Sequence, residues 1–365
     1  MLAPDTYSLV NYSEAETVVN DFKIIAARAE EIYQKIPAAR REAFYQLVLF
    51  PTKASVLVNE LYLAAGKNAL FAKQGRATAN DFAAETRALF QADTNLMAYY
   101  NLTFAGGKWN HFMDQTHLGY TTWQDPPHNS LRAIKLVETE VPEAAALGVA
   151  VEGSELSWPN TNGKAMLPPF DSFNRQRHFI DVFNKGKSNF QFTAAASAPW
   201  IVLSETGGAI EKDTRLWVSV DWSKVPQDAT GGAVKVFDGT NQVVVKMNAF
   251  NPAEPKRDAL NGFVEGEGFV SIEPEHFTKR TDAGDNRWIK IQDYGRTLSG
   301  MRATQPVDAD CAWPFRLTMR RRRSSRWCRR ITRRRTETAT GKKPSATTRA
   351  RSAPRMPSRN RASTR

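Results

Sequence analysis

Cysteine is nearly missing from this chain: among 365 residues only Cys311 and Cys328 carry a thiol, and both lie beyond residue 310. Residues 1–310 can therefore form no disulfide and offer no thiolate ligand, so redox compartment cannot be read from them. Histidine is scarce too, with five in all. No apolar run approaches the about 20 residues of a membrane span, which points away from a membrane. The start, Met1-Leu-Ala-Pro-Asp-Thr-Tyr7, lacks the basic and apolar regions of a secretory signal.

Acidic residues are what the far end lacks. From Cys311 to Arg365 there are 17 Arg and 2 Lys against Glu337 alone, so of 50 basic and 38 acidic residues, 31 and 37 remain in residues 1–310. The whole chain carries +12, yet this body carries −6, so the charge distribution argues against a nucleic-acid-binding body. Residues 311–365 have no periodicity to bury and are predicted to be a disordered Arg-rich tail. One reading of that tail is a nucleic-acid-binding arm. The other, which we favour, is a frameshift in GC-rich DNA, because wrong-frame translation yields Arg, Ala, Pro, Ser and Thr in such proportion.

What is present reads as an α+β multidomain chain, with a helical bundle over 13–140 followed by β domains. Ser13 and Glu16 have capping-box spacing, and Val18, Phe22, Ile25, Ala29, Ile32 and Ile36 form one stripe of a helix stopped at Pro37. A second helix is predicted over 38–65, kinked at Pro51 and relaxed near Gly66. A third starts near Asn80, and a fourth, from about Asn95, leads into Gly106-Gly107. Short connections indicate an antiparallel bundle. Residues 141–169, rich in Pro, Gly, Ala and Ser, read as a linker with one short strand at 149–151. Beyond it the period becomes two, with turns expected at 184–186, 207–208, 231–232 and 238–239, so 170–255 reads as an antiparallel β-sandwich. Trp200, Trp217 and Trp222 are expected as core or edge cover. A further β unit opens at 262–310, truncated against the about eight strands of a jelly roll. Glu273 and Glu275, placed on one face of a strand, could hold a structural calcium, although edge-strand solubility is the reading we prefer. No other cofactor is implied.

Chemistry-bearing residues concentrate in Ala105 to Pro127. On a helix His111 would share a face with Asp114 and Gln115, while His117 would fall beside Met113 on another. The imidazoles thus diverge, against a zinc site of the His-Glu-x-x-His kind. The plain reading is a buried polar helix end with aromatics in the core. The sharper one is a sugar-facing wall, with Trp109, Tyr120 or Trp123 stacking on a pyranose and His111, Asp114, Gln115 and His117 meeting its hydroxyls or an adjoining domain. Asn59, Glu60 and Tyr62 could face the same way.

The run Gly106-Gly-Lys-Trp-Asn-His-Phe-Met-Asp-Gln-Thr-His-Leu-Gly-Tyr-Thr-Thr-Trp123 closely resembles a segment of glycoside hydrolase family 115, the xylan α-1,2-glucuronidases. Tyr7 to Tyr12, Leu49 to Ala54 with Asn59 to Tyr62, Val149 to Ser154, and Phe269 to His276 resemble the same family in the same order, over about residues 5–305. Members of that family carry an α/β domain and a (β/α)8 barrel before this region, with the chemistry in the barrel. The resemblance therefore implies that residues 1–12 are a remnant of the barrel and that 262–310 begin a carbohydrate-binding-like domain. It also implies a secreted or periplasmic enzyme whose signal lies upstream of Met1. The implied partners are glucuronoxylan or acidic xylo-oligosaccharides, the barrel of the same gene, and a second copy in a homodimer, with no nucleic acid. The acid and base carboxylates of an inverting hydrolysis belong to the barrel, so no catalytic residue is assigned here and the chain alone is expected to be inactive. The alternative is a free-standing xylan-binding protein.

Overall fold

The computed structural model describes residues 2–260, 262–282, 287–294 and 298–304, and the strand backbones 316–318 and 321–322. It consists of helices followed by several β-sheets, in two compact units: residues 1–260, and the chain from 261 onward. Most of the 311–365 tail, where disorder and a frame change were expected, lies outside the described residues.

The first unit opens with α1 (Glu14–Lys35), and the capping box is not used. Tyr12 and Ser13 both stand in the left-handed region, Ser13 makes no side-chain cap bond, and Glu16 turns instead to Lys67 at 3.2 Å. The buried stripe also differs, with Ala15, Val19 and Ala29 inside while Ile24, Ile25 and Ile32 stay exposed. After α2 (Ala38–Phe44) comes one wide π-type turn, Tyr45–Leu49, and then α3 (Phe50–Gln74). The irregularity expected at Pro51 is this turn just before it, where the missing proline N–H costs least. Gly66 does not end the helix. It lies inside α3, where a Cβ would meet the Pro4 carbonyl oxygen at 2.4 Å. The stretch Ala38–Gln74 is long and apolar enough by length and composition to cross a membrane, against the sequence expectation. Here it packs against α1 and α4 (Ala79–Ala98). The predicted third and fourth helices are this single α4, continued by a second π-type turn, Tyr99–Thr103.

Two sheets follow, sharing one hydrophobic cluster. β1 (Leu147–Val151), β3 (His178–Asn184), β7 (Asp213–Val220) and β5 (Ile201–Leu203) form one, in that order. The other runs β2 (Phe170–Asp171), β9 (Gln242–Asn251), β8 (Asp228–Phe237), β4 (Phe190–Ala196), β6 (Gly207–Ile210). Pairing is antiparallel except between β2 and β9. Ile180, Val182, Leu216 and Val218 from the first meet Phe192, Val234, Val245 and Met247 from the second. The expected linker is no linker: β1 is fully buried beside β3, and Trp158, Ala165 and Leu167 join the same cluster. Gly207-Gly208 open β6 and Gly231-Gly232 lie within β8, so neither pair is a turn. At Gly232 a side chain would strike Trp200, itself core as expected.

The first sheet is covered on both faces, and the second cover is the end of α3. Arg76 is buried, its guanidinium 4.0 Å from the Phe71 ring and 4.3 Å from Phe183. It bonds Asp181 at 3.1 Å and Asp213 at 3.4 Å, while Arg215 grips Asp181 at 2.7 Å. Burial works to raise the Asp181 carboxyl, but the two guanidiniums overcome it and hold its pKa below the ordinary value. Glu152, in the Val149–Ser154 motif, accepts the Tyr12 and Phe179 amides and pairs with buried His178, tying the first segment to the sheets.

The second unit, described by itself, has β10 (Phe263–Val264), β11 (Lys279–Thr281), β12 (Trp288–Ile291), β13 (Gly300–Ala303), β14 (Arg316–Thr318) and β15 (Arg321–Arg322), paired two by two. Two of these strands fall inside the predicted disordered tail. Glu273 and Glu275 are not on a strand, because Pro274 starts a single 3-10 turn there. Glu275 accepts the Ser299 amide at 2.9 Å and pairs with Lys290 at 3.2 Å, which takes up the carboxylate a calcium would need. Among the described residues no group of three or more His, Cys, Asp or Glu could hold a metal.

Candidate functional site

The segment after α4 is where sequence and structure diverge most. A helix was expected, but Ala105, Gly106 and Gly107 lie in succession in the left-handed region, and His111 joins them. Four such residues are incompatible with a right-handed helix, so the chain proceeds by turns. Gly107 is needed there twice over: its φ is +78, and a Cβ would sit 3.2 Å from the Leu102 oxygen.

Side chains from the helices hold these turns in shape. Asn101 accepts the Met113 amide at 2.9 Å and donates to Asp114 at 2.8 Å, and the other Asp114 oxygen meets His111 Nδ1 at 2.7 Å. The His111–Asp114 pairing read from their spacing therefore exists, formed by a turn rather than a helix face. Trp109 donates from Nε1 to Glu42 at 3.3 Å and packs on the aromatic cluster of Tyr45, Phe50 and Tyr100.

His117 is held more firmly. Its Nε2 lies 2.9 and 3.0 Å from the two oxygens of Asp93, which projects from α4 and is 1% exposed. That hydrogen bond, outweighing burial, raises the imidazole pKa above its ordinary 6.5. Asn129 accepts the backbone amides of His117 and Leu118, and Leu118 drops into a pocket with Leu61 and Tyr62. At Gly119, φ +86, a Cβ would come within 2.8 Å of the Ser130 oxygen. Tyr120 then folds back, donating to Asp125 and to the Thr116 oxygen, while Gln115 reaches the same Asp125 at 3.4 Å. The Asp125 carboxylate raises the Tyr120 pKa.

Between this segment, α1 and α3 lies an open cleft of about 650 Å³. Gln115, His117 and Tyr120 line it, facing Asn59 and Tyr62 of α3 across a floor that includes Phe50. Trp109, His111, Asp114 and Trp123 do not line it. Trp109 bonds Glu42, His111 bonds Asp114, which Asn101 holds, and Trp123 is 90% exposed on the outer loop. Glu60 is turned away to Lys23 at 2.8 Å. Asp93, Asn101 and Asn129, which organise the site, were not singled out by sequence reasoning. Asp93 and Asn101 lie on the preceding helix, and only their contacts distinguish them from ordinary helix-surface residues. No Asp or Glu lines the cleft among the described residues.

Residues 262–312 match the family model described as the glycosyl hydrolase family 115 C-terminal domain. No curated protein matches the chain. Similar solved structures include a GH5 xyloglucanase of Bacteroides ovatus in complex with a heptasaccharide, 16% identical over 29% of this chain and 20% of that one, TM-score 0.20. Tripeptidyl peptidase 2 is 10% identical over 40% and 11%, TM-score 0.23, and a FixG-related protein of Vibrio parahaemolyticus 10% over 29% and 95%, TM-score 0.20. The chain thus spans about a fifth or less of the length of the first two. Residues 262–312 of the second unit are thus similar to the C-terminal domain of family 115 glycoside hydrolases, the family that the sequence motifs resemble.

Proposed function

With family 115 C-terminal-domain sequence at 262–312 as the premise, we propose that this chain is the accessory C-terminal part of a xylan α-1,2-glucuronidase. In this reading it presents a cleft to acidic xylan and leaves hydrolysis to a catalytic barrel. The observation that carries the proposal is the make-up of that cleft. Tyr120 lines it with an aromatic ring, and Asn59, Gln115 and His117 offer hydrogen-bonding groups, as a saccharide requires, while among the described residues no carboxylate lines its wall. Inverting hydrolysis needs an acid and a base carboxylate about 6.5–9.5 Å apart. Two carboxylates that bond lining residues are committed to them, Asp93 to His117 and Asp125 to Tyr120.

The two facing sheets are then a β-sandwich that buttresses the helices, and the second unit is the opening of a jelly-roll-like domain. The family match ends at residue 312, where the Arg-rich composition begins, which supports a frame change near codon 310. Restoring the frame is expected to give alternating strands, and DNA sequencing across that point checks it. Calorimetry of the purified chain with glucuronic acid-substituted xylotriose tests the cleft. Gln115→Ala is expected to weaken binding roughly tenfold, the cost of about one good hydrogen bond, with an unchanged melting temperature. Equal affinity would remove the cleft from the reading.

A further inference from the structure

The loops at one end of the two sheets enclose a second groove, of about 810 Å³, in the first unit but lined by none of the cleft residues. Trp222 packs one side of its ring on the sheet core and lines the groove with the rest. Around it stand Arg175, from the turn after β2, and Lys256 and Arg257, from the segment after β9, with Gln227 and Asn251 between them. Among the described residues none of these three cationic side chains makes a hydrogen bond or ion pair, and Asp258 is the lining carboxylate set against them. Unpaired cations gathered in one groove raise the local positive potential in a body that is otherwise acidic.

Arg175 is also held in place. Its φ is +52, and its loop is wound around Asp171, whose carboxylate accepts the Phe173 and Asn174 amides at 3.0 and 2.7 Å and the Gln176 side chain at 2.6 Å. Its backbone amide bonds the Asp171 oxygen at 2.9 Å. A charged residue kept in a conformation disfavoured for L-residues is presented from a preformed loop.

We infer that this groove binds a carboxylate-bearing saccharide. The Trp222 face takes a pyranose ring, Arg175 and Arg257 take the uronate carboxylate through their planar donors, Lys256 adds charge, and Gln227 and Asn251 meet hydroxyls. A neutral glycan would leave the cations unanswered, and a bare anion would leave the tryptophan unused. The inference rests on the family reading only for the choice of a xylan-derived probe, and an oligogalacturonate serves as a probe free of that choice.

Calorimetry of the full chain at low salt compares glucuronic acid-substituted xylotriose, a galacturonate trimer, xylotriose and inorganic phosphate. Both acidic sugars are expected to bind, xylotriose at least tenfold more weakly, and phosphate not measurably, with affinity falling as salt screens the charges. Trp222→Ala and the exposed double variant Lys256→Ser/Arg257→Ser each lower affinity roughly tenfold, and the double variant, whose side chains make no hydrogen bond or ion pair among the described residues, keeps its melting temperature. Gln115→Ala leaves this site unaffected. Binding by the galacturonate trimer alone keeps the groove and fails the xylan reading. Equal affinity for xylotriose, phosphate binding as tight as the sugars, or full affinity in the double variant overturns the inference.

Discussion

At the residue scale the site turns on Asp93, which holds His117 from a buried position on α4. The raised imidazole pKa fixes the sign of a pH effect: the pair's stabilisation is fully present below the ordinary 6.5 and is lost as pH rises through the higher folded-state value. Thermal melts from pH 6 to pH 9 are expected to show a decline that His117→Gln abolishes, and that variant loses about 1–3 kcal/mol at pH 6, the cost of a charge-assisted hydrogen bond. A profile identical in both proteins would show that the pair is not formed. Little of this pairing was legible in sequence, since Asp93 and His117 are 24 positions apart and only the fold brings them together. His111 and Asp114 were legible for a different reason: three-residue spacing brings side chains together in a tight turn as well as in a helix.

At the element scale the sequence announced helices and alternating strands but not the pieces that break those periods. Pro51 signalled the irregularity before α3, whereas the end of α4 was missed because Tyr99–Thr103 widens into a π-type turn with no proline or glycine to mark it. β3 escaped, and β1 was read only as a short strand at 149–151 within a linker, because period-two reading detects strands with one wet face, and these are buried on both. The segment from Gly106 to Gly119 depends on backbone shapes that glycine permits. Gly119→Ala is expected to cost about 1–3 kcal/mol in urea unfolding, from the left-handed strain and the Ser130 oxygen in its path. Substitution of exposed Trp123 by Ala is expected to change stability by less than about 0.5 kcal/mol. A large loss there would show that the outer loop is packed.

At the scale of the whole molecule, the first unit is one body because Arg76 joins the helices to the first sheet. Arg76→Met leaves buried Asp181 with Arg215 as its remaining guanidinium and takes away the partner of Asp213, and is expected to cost about 3 kcal/mol, read as a lowered urea midpoint. The Asp181 carboxyl titrates below the ordinary range, so its stabilisation persists above its unfolded pKa of about 3.9 and disappears as pH falls through the lower folded value. Acid unfolding is therefore expected below pH 4 in the parent chain and at higher pH in the variant. None of this junction was visible in Arg76 itself, which reads as one more exposed base after a helix-ending glycine.

The central claim, that these residues accompany a glucuronidase without performing its chemistry, is tested most directly by incubating the purified chain alone with glucuronoxylan and measuring released 4-O-methylglucuronic acid. The cleft without carboxylates predicts none above a heat-denatured control. Sustained release, proportional to the amount of chain and abolished by a single Asp or Glu substitution within it, would contradict the account.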